Sequence, residues 1–384
     1  MKKILQLFYA LLLGIGLFAQ DSSEAPKKFQ FNGYIKNLQT LNFDKDFKEN
    51  ISGNLVHNRL NFKWKPDAKF TAVAEFRNRL FWGEEVKTTS QFSKLLRNEN
   101  EKINLQKVWV DKSSLVVHSN TERLYVDYKE DKINVRVGRQ RINWGIASNW
   151  NPNDIFNVFN FLDFDYEERP GVDGGKLLYT FNNSFNTEVA YAHTGKENGS
   201  VAALKYGMNK WNYDFQLITG WYNEHPTVGA GWAGYIKDAG FKGEMQYFFG
   251  LGDSTDHFNL SLEGDYMLKS GWYINSSVLF NSNGLYRPVE DLSKINLRFS
   301  PENLMPTKWN IMLSSSRAFT PLFTGTASVL YAPGTHFLIV LPSAQYNMAT
   351  NLDISLVWQS FFTELQNRFE AINHRCFLRI KWSF

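Results

Sequence analysis

The chain of 384 residues has a single cysteine, a near balance of charge and no long apolar run in its interior. One cysteine excludes a disulfide scaffold and a zinc site built from cysteines. The mean hydropathy of -0.37, without an interior apolar run of about 18 residues, excludes a bundle of membrane helices. With 42 Lys and Arg against 38 Asp and Glu, the composition gives no support to nucleic-acid binding, which needs a concentrated basic excess.

Aromatic residues are abundant by contrast. The 32 Phe, 17 Tyr and 12 Trp make up 16% of the chain. Disordered chains have few aromatics and a high net charge, so disorder is excluded. Length alone would predict two or three globular domains, but a large β-barrel of this size folds as one unit.

The first 19 residues are predicted to be a secretory signal peptide. Lys2 and Lys3 precede an apolar stretch at 4–18, and Ala19 provides a small residue at a plausible cleavage point. We therefore expect residues 20–384 to cross the inner membrane and form a single domain. The only thiol, Cys376, lies far from the signal, so lipid attachment there is not expected.

Apolar and polar residues alternate with period two through the rest of the chain. Trp211, Tyr213 and Phe215, for example, alternate with polar neighbours, which is the pattern of a strand with one apolar face. About 18 strands are predicted in this way. They lie near residues 29–40, 54–65, 69–80, 121–129, 132–142, 173–182, 185–194, 199–208, 211–222, 229–238, 241–250, 257–268, 271–281, 308–319, 321–331, 336–347, 350–361 and 373–384.

The lengths of the connections are sorted by parity. Links after even-numbered strands are tight, whereas every long link follows an odd-numbered strand, at 41–53, 81–120, 143–172, 282–307 and 362–373. The architecture of a β-sandwich does not require connection lengths to alternate in this way. An outer-membrane barrel has short periplasmic turns and long extracellular loops. The predicted fold is therefore all-β: a transmembrane, antiparallel, up-and-down β-barrel of about 18 strands in the outer membrane of a Gram-negative bacterium.

The last strand gives an independent signal for a barrel wall. Cys376, Leu378 and Ile380 share one face with Trp382 and Phe384, while basic residues occupy the other face. In a barrel these faces meet lipid and lumen. The aromatic ending resembles the C-terminal signal that the outer-membrane assembly machinery recognises, so Trp382 and Phe384 are the predicted insertion signal. Outer-membrane lipid and lipopolysaccharide are the expected surroundings.

The predicted lumen face divides into two groups of opposite charge. Strands at both ends of the chain contribute a basic wall, composed of Lys36, Arg59, Lys63, Arg77, Arg79, Arg123, Arg136, Arg375, Arg379 and Lys381. Middle strands contribute an acidic wall, composed of Asp214, Glu244, Glu263 and Asp265. Because the first and last strands pair in a closed barrel, the two walls are expected to face each other across the lumen. Their opposite charges would produce an electric field directed across the lumen. The alternative is that these charges only pair with strand neighbours.

The loop at 143–172 is unusually apolar for a surface segment. The sequence around Asn151-Pro152 predicts a short capped helix, and the loop is expected to fold into the barrel as a constriction or to dock on a partner. Glu168 and Arg169 are expected to form an ion pair. The residues assigned to this role are Trp144, Trp150, Asp154, Phe156, Phe159, Asp163, Asp165, Glu167, Glu168 and Arg169.

The run RLYVDYKEDKINVRVGRQRINWG, from Arg123 to Gly145, and the Asn-Pro-Asn-Asp loop after it carry a resemblance. They resemble the hairpin and inward loop of porin-like outer-membrane barrels related to the alginate-export family, over about 45 residues. The resemblance implies an 18-stranded, basic-lined pore for small or polymeric anions. The acidic wall departs from a uniformly basic export channel.

Candidate catalytic and metal sites are few. Asp163, Asp165 and Glu167 alternate but lack the calcium-loop pattern, and the seven histidines show no metal-binding spacing. No nucleophile stands beside a histidine in the manner of a hydrolase. We therefore expect no enzyme activity, no metal and no cofactor.

Two functions remain open. The first is a porin-like channel for passive passage of small hydrophilic solutes, anionic ones among them, constricted by loop 143–172. The second is a non-conducting barrel subunit of a larger outer-membrane complex for assembly, secretion or export, which docks through its loops. The charged lumen favours the first, and the apolar loop favours the second.

Overall fold

A computed structural model describes residues 27–98, 101–157, 169–193, 195, 199–291 and 299–384. The predicted signal peptide at 1–19 lies outside them. In this part of the chain two short helices, α1 (Glu84–Thr88) and α2 (Phe92–Leu95), accompany the strands, and no helix is long and apolar enough to cross a membrane. The strands are β1 (Phe29–Asp44), β2 (Asn50–Trp64), β3 (Phe70–Gly83), β4 (Gln106–Lys112), β5 (Leu115–Glu130), β6 (Ile133–Gln140), β7 (Val172–Asn182), β8 (Phe185–His193), β9 (Ser200–Lys210), β10 (Tyr213–Tyr222), β11 (His225–Ile236), β12 (Ala239–Phe248), β13 (His257–Met267), β14 (Trp272–Asn281), β15 (Trp309–Thr320), β16 (Phe323–Ala332), β17 (Phe337–Ala349), β18 (Leu352–Leu365) and β19 (Arg368–Ser383).

The sheet closes on itself. Each strand pairs antiparallel with the next, β3 pairs directly with β5, and β1 pairs with β19 over Tyr34–Asp44. Eighteen strands therefore form the barrel wall, which confirms the predicted fold, and the eighteen predicted strands correspond to these one for one. Closure removes the unpaired edges that would otherwise expose backbone groups to hydrocarbon.

The connections follow the predicted parity with two corrections. One end of the barrel carries only tight turns, such as 131–132, 183–184 and 211–212, and the other carries the long links at 84–114, 141–171 and 282–308. The prediction of a long loop at 362–373 is wrong. β18 and β19 continue to a turn of two residues, Gln366 and Asn367, both with positive φ. The loop predicted at 41–53 shortens to 45–49 for the same reason. The polar residues in these stretches predicted loops, but they belong to the ends of strands that extend beyond the apolar belt.

The outer surface is apolar across the middle of the wall. Leu217, Leu313 and Leu356 are 59%, 54% and 50% exposed on that face, which would be costly in water. Their strand neighbours point inwards and are largely buried. This arrangement is the alternation expected of a barrel in lipid.

One short stretch of β5 pairs with a strand that the sequence did not predict. β5 pairs with β6 along Leu124–Glu130 and with β4 along Leu115–Asn120. Between these two stretches of β5, Arg139 donates to the backbone carbonyl oxygens of Thr121 (3.0 Å) and Ile103. Its side chain also pairs with Asp173 at 2.8 Å. β4 therefore replaces β6 as the partner of β5 beyond the point where the chain turns inwards.

Candidate functional site

All ten residues of the predicted basic wall lie on the lumen face by strand register. Lys36 pairs across to His57 and Lys381, Arg59 to Arg77, and Asp127 to Arg136. Directly paired residues share a face of the sheet. The opposite face in the same strands carries exposed Phe31, Phe62 and Phe76. The basic side chains thus form one surface over β1, β2, β3, β5, β6 and β19.

Some of these basic residues are paired with carboxylates on the same wall. Arg59 pairs with Glu75, Arg77 with Glu122 at 2.6 Å, Arg136 with Asp127 at 2.5 Å, and Arg379 with Asp353 at 3.5 Å. The ten basic residues outnumber these four carboxylates. Arg136 and Arg77 retain 28% and 17% side-chain exposure, so water reaches this wall.

A β-bulge gives the wall a carboxylate that alternation could not reveal. The register between β3 and β5 shifts between Glu75 and Phe76, so Glu122 and Arg123 are both buried on the inner side. Strict alternation would send one of them outwards. Arg123 also donates to the carbonyl oxygen of Arg169 at 2.5 Å, which ties the end of the inward loop to the wall.

The acidic residues on the middle strands have different surroundings. Glu244 is fully buried and accepts hydrogen bonds from the backbone N–H groups of Ile146 (2.5 Å), Ala147 (2.6 Å) and Asn153 (2.9 Å). Glu263 accepts from the N–H of Ser148 at 2.8 Å and from Lys242 at 3.2 Å. Two residues of the predicted acidic wall therefore hold the inward loop and are covered by it.

The other two acidic residues lie near the turn end of the barrel. Asp214 is exposed and accepts from Asn209 at 2.7 Å. Asp265 lies 3.6 Å from Lys242. Register places both on the lumen face. Neither has a contact with the inward loop among the described residues.

The inward loop is packed like a protein core. Ile142, Trp144, Ile155 and Phe156 are buried against small residues of the inner wall, which include Ala190, Ala192 and Ala203. The Trp144 indole N–H donates to Glu188 at 2.7 Å. Further along the loop, Trp150 joins a second cluster with Leu279, Leu330 and Ile339. Hydrogen bonds of the loop to Glu188 of β8 and Asn275 of β14 mark the ends of its path across the inner wall, and its apolar side chains are buried inside the barrel.

Glycines on β11 make room for the loop. Gly229 and Gly231 occupy inner positions where other strands carry side chains. A methyl group on Gly231 would lie 2.8 Å from the Asn153 side chain and 3.0 Å from Ile146. The absence of side chains here allows the loop backbone to reach Glu244.

The segment after Asn151 differs from the predicted helix. Residues 151–157 form turns, with the Asp154 N–H donating to the carbonyl oxygen of Asn151 at 3.1 Å. Arg169 pairs with Asp154 and donates to the Asn151 side chain at 2.7 Å. These contacts give Arg169 partners other than the predicted Glu168. Phe159, Asp163, Asp165, Glu167 and Glu168 lie outside the described residues.

A second inward segment was not foreseen from the sequence. Residues 299–308 bring Leu304 and Met305 into the cluster around Trp150. Asn281 and Asn259 donate to the carbonyl oxygens of Met305 and Pro301, at 2.7 and 3.0 Å. His225 anchors the same segment by a 2.5 Å contact with Glu302. A length of polar sequence predicts a loop there but does not show which way it folds.

The predicted insertion signal lies at the closing seam. The Phe384 N–H donates to the Gly33 carbonyl oxygen, and the Gly33 N–H donates back, both at 3.0 Å. The Phe384 ring lies 5.3 Å from that of Trp382 and 5.7 Å from that of Phe31. The last residue is thus part of the wall on which β1 closes.

No family model matches the sequence, and no curated protein matches it either. Solved structures with a similar fold do exist. OprD from Pseudomonas aeruginosa has a TM-score of 0.61 at 10% identity, covering 96% of this chain and 98% of its own. OccAB4 from Acinetobacter baumannii has a TM-score of 0.58 at 12% identity, covering 93% and 99%. Pseudomonas aeruginosa OccK5 (OpdH) has a TM-score of 0.59 at 8% identity, covering 93% and 98%. At these identities the likeness concerns the fold: this chain folds as a porin-like, transmembrane, antiparallel β-barrel.

Proposed function

We propose that this protein is an outer-membrane channel for the passive passage of small hydrophilic solutes, with a preference for anions. The observation that supports it best is the division of the lumen. One side is occupied by the inward loop, held by Glu244, Glu263 and two apolar clusters. The other side carries the basic wall with its excess positive charge. A solute crossing the barrel would pass between the loop and this wall.

The loop acts as a constriction in this proposal. An unobstructed barrel of about 18 strands is an aqueous channel. Loop residues 141–157 and the segment 299–308 occupy part of that space, so they set the size limit. The basic wall then selects by charge, because a charged passage with apolar surroundings concentrates ions of the opposite sign.

The docking alternative receives less support. Docking through the loop requires apolar side chains that are exposed to a neighbouring protein. Trp144 and Trp150 are each 2% exposed, and Ile155 is 1% exposed, all inside the barrel. These side chains are thus not available to a neighbouring protein. The described part of the loop offers no apolar surface that needs a partner.

The channel belongs to an outer membrane in this proposal. A barrel of this fold with an apolar outer belt fits the outer membrane of a Gram-negative bacterium, surrounded by phospholipid and lipopolysaccharide and inserted by the assembly machinery. The signal peptide at 1–19, the lack of enzyme activity and the relation to alginate-export barrels stay predictions. Passage of a polymer would need the inward loop to move, since its backbone is anchored at several points.

Planar-bilayer recording of the purified barrel tests the channel. We expect discrete conductance steps and, under a salt gradient, a reversal potential that indicates anion preference. Replacing Arg136 and Arg379, two lumen residues on different strands, by Gln should reduce that preference. The double change Lys102→Gln with Lys107→Gln, at two exposed lysines before and on β4, should not. A silent barrel that purifies with other proteins would reject the channel in favour of the complex subunit.

A further inference from the structure

An apolar groove of about 510 Å³ lies on the lipid-facing surface, near the turn end of the barrel. Ala72 and Ala74, two successive outward residues of β3, form its floor. Larger side chains stand beside it on the neighbouring strands. They are Phe62 and Trp64 of β2, Leu124 and Val126 of β5, and Val137 of β6. We call this feature the β3 groove. It lies outside the lumen, so the proposed channel does not use it.

Strand register places the floor and the sides of the β3 groove on one face. Ala72 pairs directly with Trp64 and Val126. Ala74 pairs in the same way with Phe62 and Leu124, and paired residues share a face of the sheet. Neighbouring strands lie about 4.8 Å apart, so the two alanines leave a furrow one strand wide. Such a furrow accepts one extended hydrocarbon chain, and its volume lies within the range of about 300–1,000 Å³ that is typical of ligand sites.

Aromatic side chains close both ends of the β3 groove. Phe70 and Phe76 are the next outward residues of β3 on either side of the two alanines. The Phe70 ring packs edge-on against Trp64 at 6.0 Å, and the Phe76 ring packs in the same way against Phe62 at 6.1 Å. The groove is therefore a pit with defined walls that opens towards the lipid. The convex wall of a second barrel would span this pit without filling it, whereas a flexible acyl chain can enter it.

The β3 groove lies close to the membrane interface at the turn end. Trp64 of β2 is 41% exposed, and Tyr128 of β5 is 42% exposed. Exposed Trp and Tyr near strand ends mark the level of the lipid headgroups. Lys65 directly follows Trp64, and Lys69 precedes Ala72 by three residues, about 10 Å along the strand. A lipid with one chain in the groove would therefore have its headgroup beside lysines.

Lysines are concentrated at this part of the turn end. The residues just before β1 and the turns β2–β3 and β5–β6 contain six exposed lysines, Lys27, Lys28, Lys65, Lys69, Lys129 and Lys132. The tight turns between β7 and β18 hold no more than one lysine each. Carboxylates among the six lysines are fewer and are engaged locally. Asp67 accepts from the N–H groups of Lys69 and Phe70, both at 2.8 Å, and Glu130 pairs with Lys69.

Two of these lysines are adjacent at the aromatic side of the β3 groove. The Lys65 N–H donates to the Lys28 carbonyl oxygen at 2.7 Å. The residues next to them, Phe29 and Trp64, stack with their ring centroids 6.0 Å apart. The charges that would meet a headgroup and the rings that would meet its acyl chain are thus one residue apart in each strand.

We propose that the β3 groove binds an anionic glycerophospholipid of the periplasmic leaflet, such as phosphatidylglycerol. One acyl chain lies over Ala72 and Ala74, and the phosphate lies beside Lys28 and Lys65. The lysines select an anionic over a zwitterionic headgroup, because each lysine near a membrane surface favours anionic lipid by a factor of about five. Lipopolysaccharide does not suit the site, since it occupies the outer leaflet and the short turns of a barrel face the periplasm.

Native mass spectrometry of the detergent-solubilised barrel tests the headgroup, with equal amounts of phosphatidylglycerol and phosphatidylethanolamine that carry the same acyl chains. We expect the wild type to retain phosphatidylglycerol with a preference of about fivefold, the contribution of one lysine. K28Q/K65Q should bring this ratio close to one. K237Q/K269Q removes two exposed lysines from other turns at the same end and should keep the wild-type ratio. A wild-type ratio near one, an unchanged ratio in K28Q/K65Q, or equal losses in both variants would overturn the site.

Filling the β3 groove tests the place of the acyl chain. A72L/A74L fills the floor with side chains that still face lipid, and A202L/A327L adds the same side chains at two exposed alanines elsewhere on the wall. Occupancy by phosphatidylglycerol should fall several-fold in the first variant and stay unchanged in the second, with the heat-dependent gel mobility of each confirming a folded barrel. Unchanged occupancy in A72L/A74L would reject the groove. Paired barrels that A72L/A74L separates, or retention of lipopolysaccharide in place of phospholipid, would show another occupant and refute the proposal. None of these measurements requires the barrel to conduct.

Discussion

Replacing Glu244 by Gln should release the inward loop. The carboxylate is fully buried and accepts three backbone N–H groups of the loop and the Asn151 amide. Glutamine keeps one acceptor oxygen but turns an NH₂ group towards a donor, so at least one bond is lost and the others lose their charge assistance. Hydrogen bonds to charged groups contribute about 1.5–3 kcal/mol, against about 0.5–1.5 for neutral ones.

The net loss of loop stability is smaller than the sum of the weakened hydrogen bonds, because a buried amide costs less to desolvate than a buried carboxylate. We expect the seated loop to lose about 3 kcal/mol relative to the released loop, a factor of about 150 in their ratio. Single-channel recording should show this as more time in a state of higher conductance. Protease added from the loop side should also cleave within 146–157 more readily.

Asp214→Asn is the matched control. It removes a carboxylate from the same inner surface, but Asp214 is exposed and bonded to Asn209, with no contact to the loop in the described structure. Open-time distributions should match the wild type. If E244Q leaves conductance and cleavage unchanged in a correctly folded barrel, the assignment of Glu244 as the loop's anchor is wrong.

Three further predictions concern the wall, the loop and the closing seam. Arg77→Gln with Arg79→Gln should move the reversal potential towards cations, because two positive charges leave the lumen; Lys102→Gln with Lys107→Gln is the control, and equal potentials would argue against the lumen role. Burial raises the pKa of Asp154 to about 7, against the opposing effect of Arg169. The seated loop thus holds a proton that a released, hydrated aspartate loses near pH 4. Seating should therefore weaken as pH rises from about 4 to 7, so high-conductance openings should be rarer at pH 5 than at pH 8. Asp154→Asn should abolish this dependence, and a wild type without it would refute the linkage. Phe384→Ala should lower the yield of inserted barrel, since it removes ring contacts at the closing seam, while Phe319→Ala, an exposed aromatic elsewhere, should not; normal yield of the first variant would count against the insertion signal.

The wall was largely predictable because its signal is local. Residues such as Leu217 and Gln216 reveal their faces by simple alternation, and paired strands repeat the same pattern. β4 was missed because the register shifts between Val108 and Val110, which breaks the alternation in a strand of only seven residues. Glu122 was missed for the same reason, since a bulge turns two successive side chains to one side.

The interior was less predictable because its contacts are not local. Sequence alternation places Glu244 on the inner face, but its hydrogen bonds to Ile146 and Asn153 depend on how a distant loop folds. The two glycines at 229 and 231 were a usable hint, because a strand that lacks side chains on its inner face invites close approach of another segment. Nothing comparable marks 299–308, whose direction is set by contacts of Asn259 and Asn281 with its carbonyl oxygens.

The replacement of β6 by β4 has a consequence for how such a protein can change. A strand that leaves a barrel wall part-way along its neighbours would leave the backbone amides of those neighbours unpaired and exposed to lipid. Here β4 takes up the hydrogen bonds of β5 beyond the point of departure, and the Arg139 guanidinium joins β6 to Thr121 of β5 and Asp173 of β7. The pairing of β5 therefore does not depend on the departing stretch, whose length and sequence can change without leaving the amides of β5 unpaired.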